Sequence, residues 1–346
     1  MLTIIGLFVI LLLVLSLPFL VKQVEENLEI FLFVMGVLAV TVTAQWSWAL
    51  VEEGLLEPIK IAFAVLVAGF LFTFARSHVK RAVDAVTGLV GVRVFAFLVI
   101  VLLGLLSSAI TAIIAALVLV EIIASLSLDR KAEVRLVVIA CFAVGMGAAL
   151  TPIGEPLSTI AIGKLKGEPY HAGFWFLFDK LWLYVIPAVL AFGVLGAIMV
   201  SKGEQKGEGL TEDRAENWKD VIIRTIKTYA FVMALVFLGT GFKPIIDQYV
   251  SHIPAEGIYW INTISAVLDN ATLTAAEVGP TMSIQQIVSA ILGLIIAGGM
   301  LIPGNIPNII SAGKLKIRSG EWARLGVPIG FAAMAIYFVI LLITGM

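Results

Sequence analysis

Charge is what this 346-residue chain has least of: Asp, Glu, Lys and Arg make up 14% of it, against 60% hydrophobic residues. A water-soluble domain carries about 25% charged residues. With a mean hydropathy of +1.07, a soluble globule is excluded. The net charge of −1 offers no basic surface, so nucleic acid is not expected as a partner. The one cysteine, Cys141, excludes an internal disulfide framework. His78, His171 and His252 stand far apart, and none has metal-ligand spacing to another His or to Cys141. No Walker motif is present, which removes ATP-driven transport within the chain. No nucleophile–base constellation is present either, so an enzyme is not expected, and no cofactor beyond transported ions. The first stretch, Met1–Val21, lacks a basic leader and a small-residue cleavage site before Lys22. It reads as a retained span and not as a signal peptide.

Long apolar runs are what the chain has in abundance: 1–21, 28–50, 58–75, 174–200, 220–242 and 320–345. A hydrocarbon core about 30 Å thick needs roughly 20 such residues per crossing. The expected surroundings are a lipid bilayer, and the expected class is an all-α integral membrane protein. The longest polar stretch begins at Ser201 and reads as a cytoplasmic linker over 201–219.

An internal repeat organises the rest. Thr151–Lys166 (TPIGEPLSTIAIGKLK) aligns on Leu301–Ile317 at a shift of 150. Gly154, Ile160, Gly163, Lys164, Leu165 and Lys166 then fall on Gly304, Ile310, Gly313, Lys314, Leu315 and Lys316. Upstream, SSAITA (Ser107–Ala112) aligns on AVLDNA (Ala266–Ala271), with a register free by about one residue. Each half therefore reads as a span, a hairpin with a polar middle, a helix broken by Pro and Gly, and a closing span. The expected organisation is N-terminal scaffold spans over 1–57, a first repeat over 58–200 with hairpin 93–127 and broken helix 133–166, and a second repeat over 220–346 with hairpin 257–281 and broken helix 283–317.

With both hairpins re-entrant and the N-terminus outside, 18 of the 23 Lys and Arg residues fall on the cytoplasmic side. The halves are then inverted, the C-terminus is also outside, and about eight full spans remain. Segment 257–281 is too short for two crossings, since arms of about 12 residues rise roughly 18 Å.

Lipid leaves no backbone group unsatisfied, so a broken helix at depth must face protein or a wet cavity. Transporters use such breaks to aim helix ends and carbonyls at ions. Both breaks carry Pro and Gly, with Gly154 and Gly304 as their glycines. Asp269 stands at the expected second hairpin tip beside Asn270 and Thr272. A carboxylate with amide and hydroxyl oxygens suits a hard cation such as Na⁺. Glu155, in the first break where the second has Asn305, can bind a cation or carry a competing proton. Ser158, Asn305 and Asn308 around the breaks, with Ser108 and Thr111 at the first tip, are neutral ligand candidates. Glu121 and Glu277 form a second tier, as proton sites or interface anchors. Asp269, Asn270 and Glu155 are the expected Na⁺ ligands.

These residues resemble a known group. SAVLDNATLTAA, TPIGEPLSTI and IPGNIPNIISAG look like motifs of the ion transporter superfamily, closest to its D-type sodium/proton antiporters and to a small prokaryotic set of cation transporters. The resemblance spans about residues 58–346. It implies a homodimer in the cell membrane and alternating access by a hairpin-bearing unit. It carries Asp269, Asn270 and Thr272 onto the second hairpin motif, Gly304, Asn305 and Asn308 onto the second break, and Gly154, Glu155 and Ser158 onto the first. The first tip, SSAIT, lacks the Asn of the symmetrical family motif, and the Ser-Asn-Thr signature of carboxylate symporters is missing from both halves.

The expected function is secondary active cation/proton antiport, Na⁺ against H⁺. The alternative is sodium-coupled transport of a small oxyanion or carboxylate, drawn by half-helix N-termini.

Overall fold

A computed structural model describes residues 2–126, 128–200, 218–249, 253–268 and 270–344. Among these, every regular element is helical. In chain order they are α1 (Leu2–Leu20), α2 (Lys22–Glu26), α3 (Leu28–Val42), α4 (Trp48–Ile110), α5 (Ala112–Ser125), α6 (Arg130–Ala148) and α7 (Pro156–Lys164). There follow α8 (Phe176–Met199), α9 (Trp218–Tyr249), α10 (Ala255–Ile261), α11 (Asn270–Glu277), α12 (Ile284–Gly298), α13 (Ile306–Leu315) and α14 (Ser319–Thr344). Six described stretches are long and apolar enough to cross a membrane: Thr3–Leu20, Trp48–Leu71, His78–Ile110, Phe176–Met199, Trp218–Pro244 and Ser319–Thr344. The protein is an all-helical membrane protein. Its outward residues are large and apolar, with Leu20 and Ile343 each more than three-quarters exposed.

Helix boundaries in the first third differ from those read in the sequence. In place of a span over 28–50, α3 stops at Val42 and a turn leads to Ser47, whose Oγ accepts from Leu50 N at 3.1 Å and starts α4. The 63 residues of α4 run through the expected boundary at 57/58, with Pro58 inside the helix. Glu52, Glu53 and Glu57, between the apolar runs 28–50 and 58–75, are all exposed and leave the helix intact. Gly91, at φ 77 and ψ 156, bends α4. Beyond it the helix from Val92 to Ile110 is roughly 28 Å long. The first arm of the expected hairpin 93–127 is thus long enough for a full crossing, because nothing after Arg93 interrupts its apolar run. Of the linker expected over 201–219, residues 201–217 lie outside the described residues, and Trp218 and Lys219 already belong to α9.

Two helices form the centre. From Leu136 to Ala148 every residue of α6 is buried, and so is every residue of α12 from Ile287 to Gly298. Such all-round apolar burial marks helices enclosed by others. Each starts with a capped first turn: Asp129 Oδ1 accepts from Ala132 N at 2.8 Å, and Ser283 and Gln286 form a capping box. Around them, α8 packs on α4 and α6, and α14 packs on α12 and α6. To one side α3 lies along α9, joined by Lys227 Nζ and Glu29 Oε1 at 2.7 Å. The short helices cross over: α13 packs on α5, and α7 packs on α11.

Candidate functional site

Both central helices run into a break, and the two breaks have one backbone geometry. Ala149 ends α6 at φ −68, ψ −13; Gly299 ends α12 at φ −73, ψ −19. Glu155 opens α7 at φ −151, ψ 146; Asn305 opens α13 at φ −154, ψ 147. Proline follows at once in α7 and one residue later in α13, where a missing N–H costs no helical bond. A methyl group on Gly154 would sit 2.1 Å from Ala148 O, and one on Gly304 2.5 Å from Gly298 O. Only glycine lets the chain fold back that closely on the end of its own helix. The chain then leans on that end again. Ser158 Oγ donates to Ala149 O at 2.9 Å, and Asn308 Nδ2 donates to Gly298 O and Leu301 O, both at 2.8 Å.

The segments before the central helices are fixed to them in the same way. Ser107 Oγ donates to Val144 O at 3.0 Å, and Ser265 Oγ donates to Leu294 O at 3.2 Å. The two acceptors are related by the shift of 150 seen in the breaks, and the two serines by 158. The same 158 relates Ala112 and Asn270, where α5 and α11 begin. This moves the alignment of SSAITA by one residue from the register read in the sequence, because the anchoring serine is Ser265 and not its neighbour. Each tip is also tied to its own break. Ala112 N donates to Gly154 O at 2.8 Å, and Thr151 Oγ1 donates to Ser108 O. In the second half Ser265 Oγ donates to Asn270 Oδ1, and a methyl on Gly298 would lie 2.7 Å from Asn270 Nδ2.

The second break reaches α6 of the first half. A methyl on Gly145 of α6 would lie 2.6 Å from Asn305 Nδ2, and Cys141 Sγ is 3.4 Å from Ser311 Oγ of α13. Glu155, Ser158, Asn270, Asn305 and Asn308 are therefore all buried around the ends of α6 and α12. Within this group Asn270 Nδ2 and Asn308 Oδ1 have no hydrogen-bond partner among the described residues. Buried amide groups are normally satisfied, so two open ones flanking Gly298 mark a place for a polar guest.

Ser108 and Thr111 contribute differently from the sequence reading. Ser108 Oγ donates to Leu105 O at 2.7 Å within its own helix, and it is its carbonyl that faces the break. Thr111 joins α4 to α5 at φ 76, a left-handed backbone unusual for a branched residue, and its Oγ1 accepts from Ile114 N at 3.3 Å. Asp269 and the side chain of Thr272 lie outside the described residues.

The second-tier carboxylates part ways. Glu121 Oε1 is 2.9 Å from Lys314 Nζ, with each side chain 10% exposed. In sequence the first base after Glu121 is Arg130; the actual partner comes from the other half. Glu277 is buried with Asn262 beside it. Among the described residues neither of its oxygens has a hydrogen-bond partner. Sequence reasoning missed Ser265, Asn262, Ser289 and Lys314. The only signal for Lys314 was its place in the repeated GKLK; the other three are common small polar residues in apolar helices. No group of three His, Cys, Asp or Glu side chains converges among the described residues.

A family described as "Protein of unknown function (DUF1646)" matches residues 4–344. The chain belongs to that family. Both breaks, both tips and all the buried polar groups above fall within the DUF1646 match. No curated protein matches the chain.

Proposed function

We propose that this DUF1646 protein is a secondary active transporter that exchanges a cation, Na⁺ foremost, for protons by alternating access. The observation that carries the reading is the pair of buried breaks with near-equal dihedrals at Glu155 and Asn305, the second of them packed on α6 of the first half. Backbone broken this deep in an apolar protein has a purpose when it lines an ion path. In this reading the halves are inverted repeats with α4–α5 and α10–α11 as their hairpins. Asp269 and Glu155 alternate between proton and cation, while Asn270, Thr272, Asn305, Asn308 and Ser158 supply neutral contacts. In this reading the protein sits in a prokaryotic cell membrane as a homodimer, as the resemblance to the ion transporter superfamily implies, with both termini outside, as the distribution of Lys and Arg implies. In this layout the ties of Lys314 to Glu121 and of Arg130 to Glu321 share one face, and those of Lys164 to Ala275 and of Tyr170 to Met282 share the other.

A second reading has one observation in its favour. Neither Glu155 nor Asn305 caps its helix with its side chain, so the first turns of α7 and α13 present backbone N–H groups at the breaks. Such groups attract oxyanions, which suits sodium-coupled transport of a small oxyanion or carboxylate.

The deciding experiment is proton movement in sealed proteoliposomes after an external Na⁺ pulse, for wild type, Asp269→Asn and Asn308→Ala. Antiport gives a Na⁺-evoked pH change in wild type that both variants lose. A silent wild type sinks antiport. Uptake of labelled sulfate or succinate driven by the same Na⁺ gradient would then establish the symport reading.

A further inference from the structure

Where α8 ends, it meets an arginine that the breaks do not use. The helix runs as far as Met199, and Val200 O, next in the chain, accepts from Arg93 Nε at 3.1 Å. Arg93 stands at the start of the stretch of α4 that follows the bend at Gly91. One crossing begins and another finishes at the same level, so Arg93 lies at a membrane surface. With Nε held, both Nη atoms of the guanidinium are left for other partners. Among the described residues no carboxylate pairs with it.

From Arg93 inward the two helices enclose a groove of about 390 Å³. Arg93, Val94 and Phe97 line it from α4, and Val194, Ala197 and Ile198 from α8. Both sets have the spacing of a single helical face. The sequence accounts for the shape. A methyl on Gly193 would lie 2.5 Å from the Val101 side chain and 3.0 Å from that of Phe97, and one on Gly196 2.2 Å from that of Ile100. These glycines draw α8 close against α4. Ala197, the small residue beside them, leaves the neighbouring space open. Val94, Val194 and Ile198 are 48%, 49% and 69% exposed, so the groove opens outward, to the hydrocarbon of the bilayer.

A long basic side chain can snorkel to the surface anywhere along a membrane helix. What distinguishes Arg93 is that Val200 O orients it and that an apolar slot begins beside it. A guanidinium can hold two oxygens of one phosphate. No acidic residue lines the groove to repel such a group, and past Arg93 its lining offers side chains suited only to hydrocarbon. On the topology read from the distribution of Lys and Arg, this end of α8 is cytoplasmic, where anionic lipids attract basic side chains.

We infer that Arg93 and the groove between α4 and α8 form a binding site for one anionic phospholipid. Its phosphate rests on the Nη atoms of Arg93, and the upper part of an acyl chain lies along Phe97 and Ala197. The site does not depend on ion exchange, since it concerns lipid binding at equilibrium and not flux.

The test is native mass spectrometry of the full chain released from detergent, after titration with phosphatidylglycerol or with phosphatidylcholine of the same acyl chains. Wild type should hold one phosphatidylglycerol about fivefold more tightly than phosphatidylcholine. Arg93→Gln should abolish that preference, and Arg93→Lys, which keeps the charge, should retain part of it. Ala197→Phe fills the slot without touching the arginine and should weaken both lipids. Glycerol phosphate, a headgroup without chains, should not displace the lipid at equal concentration. An unchanged preference in Arg93→Gln would overturn the proposal, as would wild-type affinity for both lipids in Ala197→Phe. Displacement by glycerol phosphate would overturn it too, since the place would then be a site for a bare anion.

Discussion

Glu121 and Lys314 meet at 2.9 Å, each with only a tenth of its side chain exposed, and in doing so they join α5 of the first half to α13 of the second. Removing one member of a buried ion pair strands the other charge. Lys314→Ala is therefore expected to destabilise the protein by about 3–5 kcal/mol, and Glu121→Leu with Lys314→Met together by far less. Thermal unfolding in detergent checks this. A double variant no better than Lys314→Ala would mean that the pair does not act as a unit.

The repeat carries two glycines per half, and the structure separates their roles. At Gly154 and Gly304 a methyl would run into the backbone of the preceding helix, so each Gly→Ala change should cost about 1–3 kcal/mol. At Gly163 and Gly313, inside α7 and α13, a methyl meets nothing within 4 Å. There Gly→Ala should stabilise by up to about 1 kcal/mol. Melting temperatures of the four variants should split into these two groups, and a uniform response would refute the assignment.

Arg130 grips Glu321 with two parallel bonds, Nε to Oε1 at 2.8 Å and Nη2 to Oε2 at 2.6 Å, and Nη2 also donates to Lys316 O at 3.0 Å. Both side chains are about one-third exposed, so the pair contributes modestly. Arg130→Lys should lose about 1 kcal/mol, because an ammonium cannot reproduce the fork. In a double-mutant cycle with Glu321→Gln the second change should add little. Full additivity would show the two residues to be independent.

Cys141 is buried between α6 and α13, with Sγ 3.7 Å from Pro307 O and 3.4 Å from Ser311 Oγ. A membrane-permeant maleimide should leave it unmodified in the folded protein and label it fully in denaturing detergent. Rapid labelling under native conditions would show that α13 does not stay on α6.

Much of the layout could be read from the sequence because Pro and Gly leave a local mark. The breaks at 151–156 and 303–308 declared themselves, and the shift of 150 that sets Glu155 on Asn305 holds down to individual dihedrals. Boundaries in α4 were hidden, since three exposed carboxylates followed by a proline separate two apolar runs without ending the helix. Within the site, Asn305 and Asn308 were legible from their place beside prolines. Glu121 with Lys314, and Glu277 with Asn262, were not, since pairing between remote segments of an apolar chain has no periodicity to betray it. Asp269, the sharpest residue of the sequence, lies outside the described residues, and its role rests on the flux experiment.

The crossed packing of α13 on α5 and of α7 on α11 has a consequence for biosynthesis. Helix α5 leaves the ribosome with Glu121 on it, but its ammonium partner, Lys314, follows 193 residues later. Until that part of the chain is made, the carboxylate must wait in water or in the care of the insertion machinery. The N-terminal half should therefore not mature as a separate fragment, and co-expression of both fragments should be the least that restores it.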